Sequence, residues 1–110
     1  VGGTNNGDMA AAVKALETQK GGMAIVLDGQ VLAAIPLPIA GLMSDQPAAA
    51  VDAAMDELYA KAHHILGVSD EVDVIMTLCF MSLPVIPKLK LLDTGLFDVE
   101  AFDFVPVELD

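Results

Sequence analysis

Arginine and tryptophan are absent from this sequence, and cysteine and tyrosine each occur once. All five cations are lysines, set against 16 carboxylates, for a formal charge of -11. Binding to DNA, RNA or an anionic membrane surface needs a basic patch to neutralise phosphate, so those partners are excluded. A single thiol, Cys79, rules out an intrachain disulfide framework and fits a reducing, cytoplasmic setting. No segment approaches the ~20 uninterrupted apolar residues of a membrane helix. The richest run, Val74–Leu83, is interrupted by Thr77 and Ser82. The opening Val1-Gly2-Gly3-Thr4 carries no initiator methionine, basic segment or cleavable apolar segment, as expected of a chain cut from a longer one.

What is present is apolar. Hydrophobic residues make up 55% of the 110 positions, and the mean hydropathy is +0.59. That length favours one domain, and no linker long enough to divide it is evident. The apolar surplus calls for cover, by an interface or by the rest of a larger protein.

Local signals are clear in the first two thirds. Asn5-x-x-Asp8 resembles a capping box, and Met9, Val13 and Leu16 recur at helical spacing before Gly21-Gly22, so a helix is predicted over 7–20. Residues 23–27 and 30–35 are β-prone and flank Asp28-Gly29, the signature of a hairpin with a type I′ turn. The second strand ends in Pro36-Leu37-Pro38, which a central strand cannot accommodate. After a loop over 39–45, a long helix is predicted over 47–66. Pro47 stands in its first turn, Val51, Met55, Leu58, Ala62 and Ile65 form its apolar stripe, and Gly67 ends it. Ser69–Asp73 is an acidic loop. Val74–Leu83 reads as a buried strand from its length and β-branching, although periodicity alone leaves a helix open. Lys88–Leu92 is a short strand turned by Asp93-Thr94-Gly95, and Ala101–Leu109 is a strand with Pro106 at an edge position. The expected fold is α+β: two layers, a mostly antiparallel or mixed sheet with two main helices packed on it.

Candidate chemistry is sparse. His63 and His64 are adjacent, so on a helix they diverge by about 100° and cannot chelate one ion together. A contact with the helix end is the expected role. Cys79 lies between Leu78 and Phe80, which predicts a buried, unreactive thiol. Asp52, Asp56 and Glu57 read as a solvated helix face. Gly2-Gly3 lacks the spacing of a phosphate loop. Ser44 and Asp45 precede the long helix, where polar groups either cap it or approach a ligand or neighbouring surface; capping is the expected role. Residues and spacing alone therefore supply no catalytic set and no metal-ligand set.

Three ordered strings add more. Val1-Gly2-Gly3-Thr4-Asn5-Asn6-Gly7-Asp8-Met9 resembles a V-x-G-T-N-x-x-D-M opening, and Leu37–Asp45 resembles the string P-L-P-I-A-G-L-M-S-D. Met76 through Leu91, followed by Asp93–Val99, resembles a third. Together they resemble, nearly end to end, the C-terminal domain of bacterial and archaeal adenine deaminases of the amidohydrolase superfamily. Asn6 stands where an acid is common and Cys79 where a serine is common. Val72-Asp73-Val74 replaces a proline-aromatic arrangement.

The resemblance implies an enzyme of purine metabolism that hydrolyses adenine to hypoxanthine and ammonia. Manganese or iron would be held by an N-terminal β/α barrel that is not part of this sequence. It also implies that the family domain extends upstream of Val1. Residues 1–110 are thus expected to be an accessory portion, inactive alone and binding no cofactor. Their expected partners are the missing barrel and further copies in a homo-oligomer, with Ser44 and Asp45 near substrate or an interface. The alternative is a stand-alone protein-interaction module of the same fold.

Overall fold

The computed structural model describes residues 1–108. Its order of elements is α1 (Asn6–Gln19), β1 (Gly22–Leu27), β2 (Gln30–Pro36), α2 (Ala48–His64), α3 (Val74–Ser82), β3 (Leu89–Leu92), β4 (Gly95–Asp98) and β5 (Asp103–Val105). The fold is α+β, but two small antiparallel sheets, β1-β2 and β3-β4-β5, stand where a single sheet was predicted. The backbone divides into two compact units, the first Val1–Val74 and the second beginning at Ile75.

The first unit is built around the hairpin. Asp28 and Gly29 both adopt positive φ (51° and 74°), as a type I′ turn requires. The register runs from Gly22↔Pro36 to Leu27↔Gln30 and shifts between Ile25 and Val26, leaving Leu32 as the extra residue of a bulge. A bulge orphans backbone groups, and here the Leu32 carbonyl accepts from Lys61 Nζ of α2 at 3.1 Å. Lys61 also pairs with Glu57 one turn earlier, at 3.2 Å. Helices α1 and α2 both pack on the hairpin. Ile25 and Ile35 from the strands and Leu58 and Ala62 from α2 form the buried core.

Both helices lie close to their predicted bounds, but their inward faces are narrower than their apolar patterns. On α1 the half-buried positions are Asp8, Met9, Ala11, Ala12, Ala15, Leu16 and Gln19, while Val13 is exposed. On α2 the stripe reaches full burial at Leu58 and Ala62, and Ile65, at the C-cap, is 52% exposed. A short hairpin covers only part of each helix, so apolar residues at the margins remain in solvent.

The junction between α1 and β1 is tight. Lys20 takes the left-handed conformation (φ 63°), and Gly21 N–H returns to the Leu16 carbonyl at 2.9 Å. Gly22 (φ 121°) sits so close to the Ile35 carbonyl that a β-carbon there would collide with it. Gln19 Nε2 spans the same junction, donating to the Met23 and Ile35 carbonyls at 3.2 and 3.4 Å.

In the second unit, Val74–Ser82 is an α-helix, which overturns the predicted strand. Only the front of the run is β-branched; Met76, Leu78, Phe80 and Met81 are compatible with a helix, and a segment apolar on every side carries no period-2 signal. Ser82 Oγ donates to the Cys79 carbonyl at 2.8 Å, and Pro84 follows as a stop. The sheet of this unit pairs Lys90 with Phe97 and Phe97 with Phe104. Phe97 makes edge-on contacts with Phe102 and Phe104, with ring centroids 5.4 and 5.3 Å apart. The predicted last strand shortens to Asp103–Val105, and Leu109 of that prediction lies outside the described residues.

Leu58→Ala should lower the unfolding free energy by about 2–5 kcal/mol, because it empties a core site that is 3% exposed. Ile65→Ala should change it by less than about 0.5 kcal/mol. Urea denaturation of the two variants, followed by circular dichroism, checks the assignment of the inward face.

Candidate functional site

The loop between β2 and α2 holds both residues singled out in the sequence. Ile39 and Met43 form an isolated antiparallel bridge, exchanging backbone hydrogen bonds at 3.2 and 3.1 Å. Ala40 and Gly41 turn the chain between them with φ of 56° and 72°. Gly41 lies against Gly21, where an added β-carbon would come within 2.6 Å of the Gly41 Cα. The loop is therefore braced against the α1–β1 junction.

Ser44 and Asp45 do not cap α2, which corrects the expected role. The N-cap is Pro47, extended at φ -57° and ψ 146°, and no side chain caps the helix. Ser44 Oγ instead accepts from the Gln46 backbone N–H at 3.1 Å, and Asp45 Oδ1 accepts from Gln46 Nε2 at 2.9 Å. Two residues separate Ser44 from Pro47, and the intervening turn uses its hydroxyl before the helix begins. Ser44 is half-buried and Asp45 exposed. Between Ser44–Gln46, the end of β2 (Ala34–Pro36) and the first turns of α2 (Ala50, Val51) lies a mostly apolar cavity of about 180 Å³.

The glycine-rich opening serves a different purpose. Asn5 is the N-cap of α1 and accepts from the Asp8 N–H at 2.8 Å, as the capping-box pattern anticipates. The Asp8 carboxylate does not return to the cap backbone, however. It accepts from Asn5 Nδ2 at 2.9 Å and from the hairpin turn, Gly29 N–H at 2.7 Å and Asp28 N–H at 3.2 Å. One carboxylate thus ties the start of α1 to the tip of the hairpin. The sequence carried a usable signal, since a type I′ turn exposes N–H groups that need an acceptor, but nothing in the spacing showed that Asp8 would reach it.

His63 and His64 diverge on α2, as the helix geometry requires. His63 Nδ1 lies 3.0 Å from the Val68 carbonyl and 3.6 Å from Asp70 Oδ1, and its ring stacks on Tyr59. Tyr59 Oη donates to Asp73 Oδ1 at 2.8 Å. These contacts fasten the acidic loop to the end of α2. Among the described residues, no three histidine, cysteine, aspartate or glutamate side chains converge as a metal site would require, and no helix is long and apolar enough to cross a membrane. Cys79 is exposed, contrary to the buried thiol predicted, because the run around it is a surface helix and not a core strand.

The polar contacts at these positions either join elements of the first unit or close its turns. The family described as the adenine deaminase C-terminal domain matches residues 1–103. The chain is 52% identical over 106 residues to adenine deaminase 2 of Desulfotalea psychrophila, covering 96% of this chain and 18% of that protein. It is 50% identical over 107 residues to the adenine deaminase of Nitratidesulfovibrio vulgaris, covering 97% and 19%. Identity to adenine deaminase 2 of Carboxydothermus hydrogenoformans is also 50%, over 109 residues, covering 99% and 19%. The chain belongs to the adenine deaminase C-terminal domain family and spans under a fifth of the length of these relatives.

The Asp8 joint makes a pH-dependent prediction. The Asn5 amide first, then the Gly29 N–H, hold the Asp8 carboxyl below its ordinary value of 3.8 against a smaller desolvation effect, with Asp28 N–H adding to the lowering. A depressed folded-state value stabilises the protein above the unfolded value and ceases to do so as pH falls through the folded one. Asp8→Ala should therefore lower the melting temperature at pH 7, and the gap to the wild type should close as the pH is taken below 3.8. Thermal melts across pH 2 to 7 read this directly.

Proposed function

We propose that residues 1–110 are the accessory portion of an adenine deaminase, a cytoplasmic, oligomeric amidohydrolase of purine metabolism that converts adenine to hypoxanthine and ammonia. The manganese or iron of that reaction belongs to the portion of the enzyme outside these residues. The donors present here do not fit such a metal: His63 is taken up by the Val68 carbonyl and Asp70, and His64 points away from it. No step of the hydrolysis is assigned to this chain.

The observation that carries the reading is α3. Its nine residues include Val74, Ile75, Met76, Leu78, Phe80 and Met81, yet none is buried. An apolar helix without a buried residue is a surface made to be covered. The length of the relatives supplies the cover, since more than four fifths of each lies outside the matched region.

The test compares the purified 110-residue chain with the enzyme carrying the family's complete length. The complete enzyme should release ammonia from adenine and the 110-residue chain should not. The exposed thiol of Cys79 should react with a thiol reagent at once in the short chain and at least about tenfold more slowly in the complete enzyme. Equal reactivity in both, with no adenine turnover by either, would favour a stand-alone interaction module.

A further inference from the structure

The β2–α2 loop carries an apolar pair that the fold exposes and also holds rigid. Leu42 is 78% and Met43 57% exposed, and Ile39 beside them is exposed as well. A flexible loop would fold such residues back onto its own surface. This one cannot, because the Ile39–Met43 bridge, the Leu42 N–H to Ile39 carbonyl bond at 3.0 Å and the Gly41–Gly21 contact fix its course. Leu37 N–H adds a bond to the Gly21 carbonyl at 3.3 Å at the loop's base. Two large apolar side chains on a pre-organised support are what a docking anchor needs, since little conformational freedom remains to be lost on contact. The cavity beside Ser44 places a receptor for an apolar side chain on the same stretch of chain.

We infer that Leu42 and Met43 anchor this domain to the catalytic portion of the same enzyme, entering an apolar socket there while the cavity beside Ser44 receives a side chain in return. The inference rests on the functional reading above and assigns a surface to it. Charge and length select this occupant over a second copy of the chain. A second copy brings a further -11 with five lysines and no arginine, and so opposes its own approach. The portion outside this chain is more than four times as long in the relatives and is covalently joined to it, which raises its effective concentration.

Hydroxyl-radical footprinting of the complete enzyme is the primary test. Leu42 and Met43 should be modified at least about tenfold more slowly there than in the 110-residue chain, at every enzyme concentration. Leu42→Asp in the complete enzyme should speed proteolytic release of the domain at least about tenfold, whereas Val13→Asp, at another exposed apolar position, should not. Equal footprints in the two proteins would overturn the inference, and so would protection that disappears on dilution, which would mark a second copy as the cover. A complete enzyme that fails to turn over adenine would defeat the functional reading, and the footprint would still decide whether this loop docks.

Discussion

The first unit depends on one close approach of backbones. Where α1 ends and β1 begins, Gly22 passes the Ile35 carbonyl with no room for a side chain, and Gly21 meets Gly41 of the β2–α2 loop. Any bulk at these points would lift α1 off the hairpin or push the loop away. The hydrogen bonds of Gln19 to both strands and of Leu37 to Gly21 form only at this separation. The course of the Ile39–Asp45 loop thus follows from glycines some twenty residues earlier in the chain.

Around that junction the unit is held by a small core and a few polar joints. Ile25, Ile35, Leu58 and Ala62 supply the buried apolar contact. Asp8 ties the start of α1 to the hairpin turn, and Lys61 ties α2 to the bulge carbonyl of Leu32. Each joint satisfies backbone groups that a turn or bulge would otherwise leave without a protein partner. The chain's few strong polar contacts are spent on architecture, in keeping with the absence of a converging donor set among the described residues.

Family membership and surface character support one another. A domain that serves as part of a longer enzyme has no need to bury all its apolar residues within itself. The exposed α3 and the rigid Leu42–Met43 pair are sensible on that footing and costly for an isolated soluble protein. The strings that carry the family resemblance correspond to structural devices: the Asn5–Asp8 opening is the hairpin clamp, and the 37–45 string is the braced loop.

Where neighbouring residues decide conformation, the sequence was sufficient. The Asp28-Gly29 turn, the bounds of α1 and α2 to within two residues, the short strand before Asp93 and the divergence of His63 from His64 all follow from local backbone preference or helical geometry. The family, too, was legible in three ordered strings. Tertiary structure alone decided the rest. Val74–Ser82 is apolar on every side, so periodicity does not separate strand from helix there, and the helix and the exposure of Cys79 are seen only in the folded chain. Asp8 meets the turn and Lys61 meets the bulge because side chains are committed by whichever groups the fold brings within about 3 Å. Local preference acts between residues a few positions apart, and these partners are chosen only when distant segments close on one another.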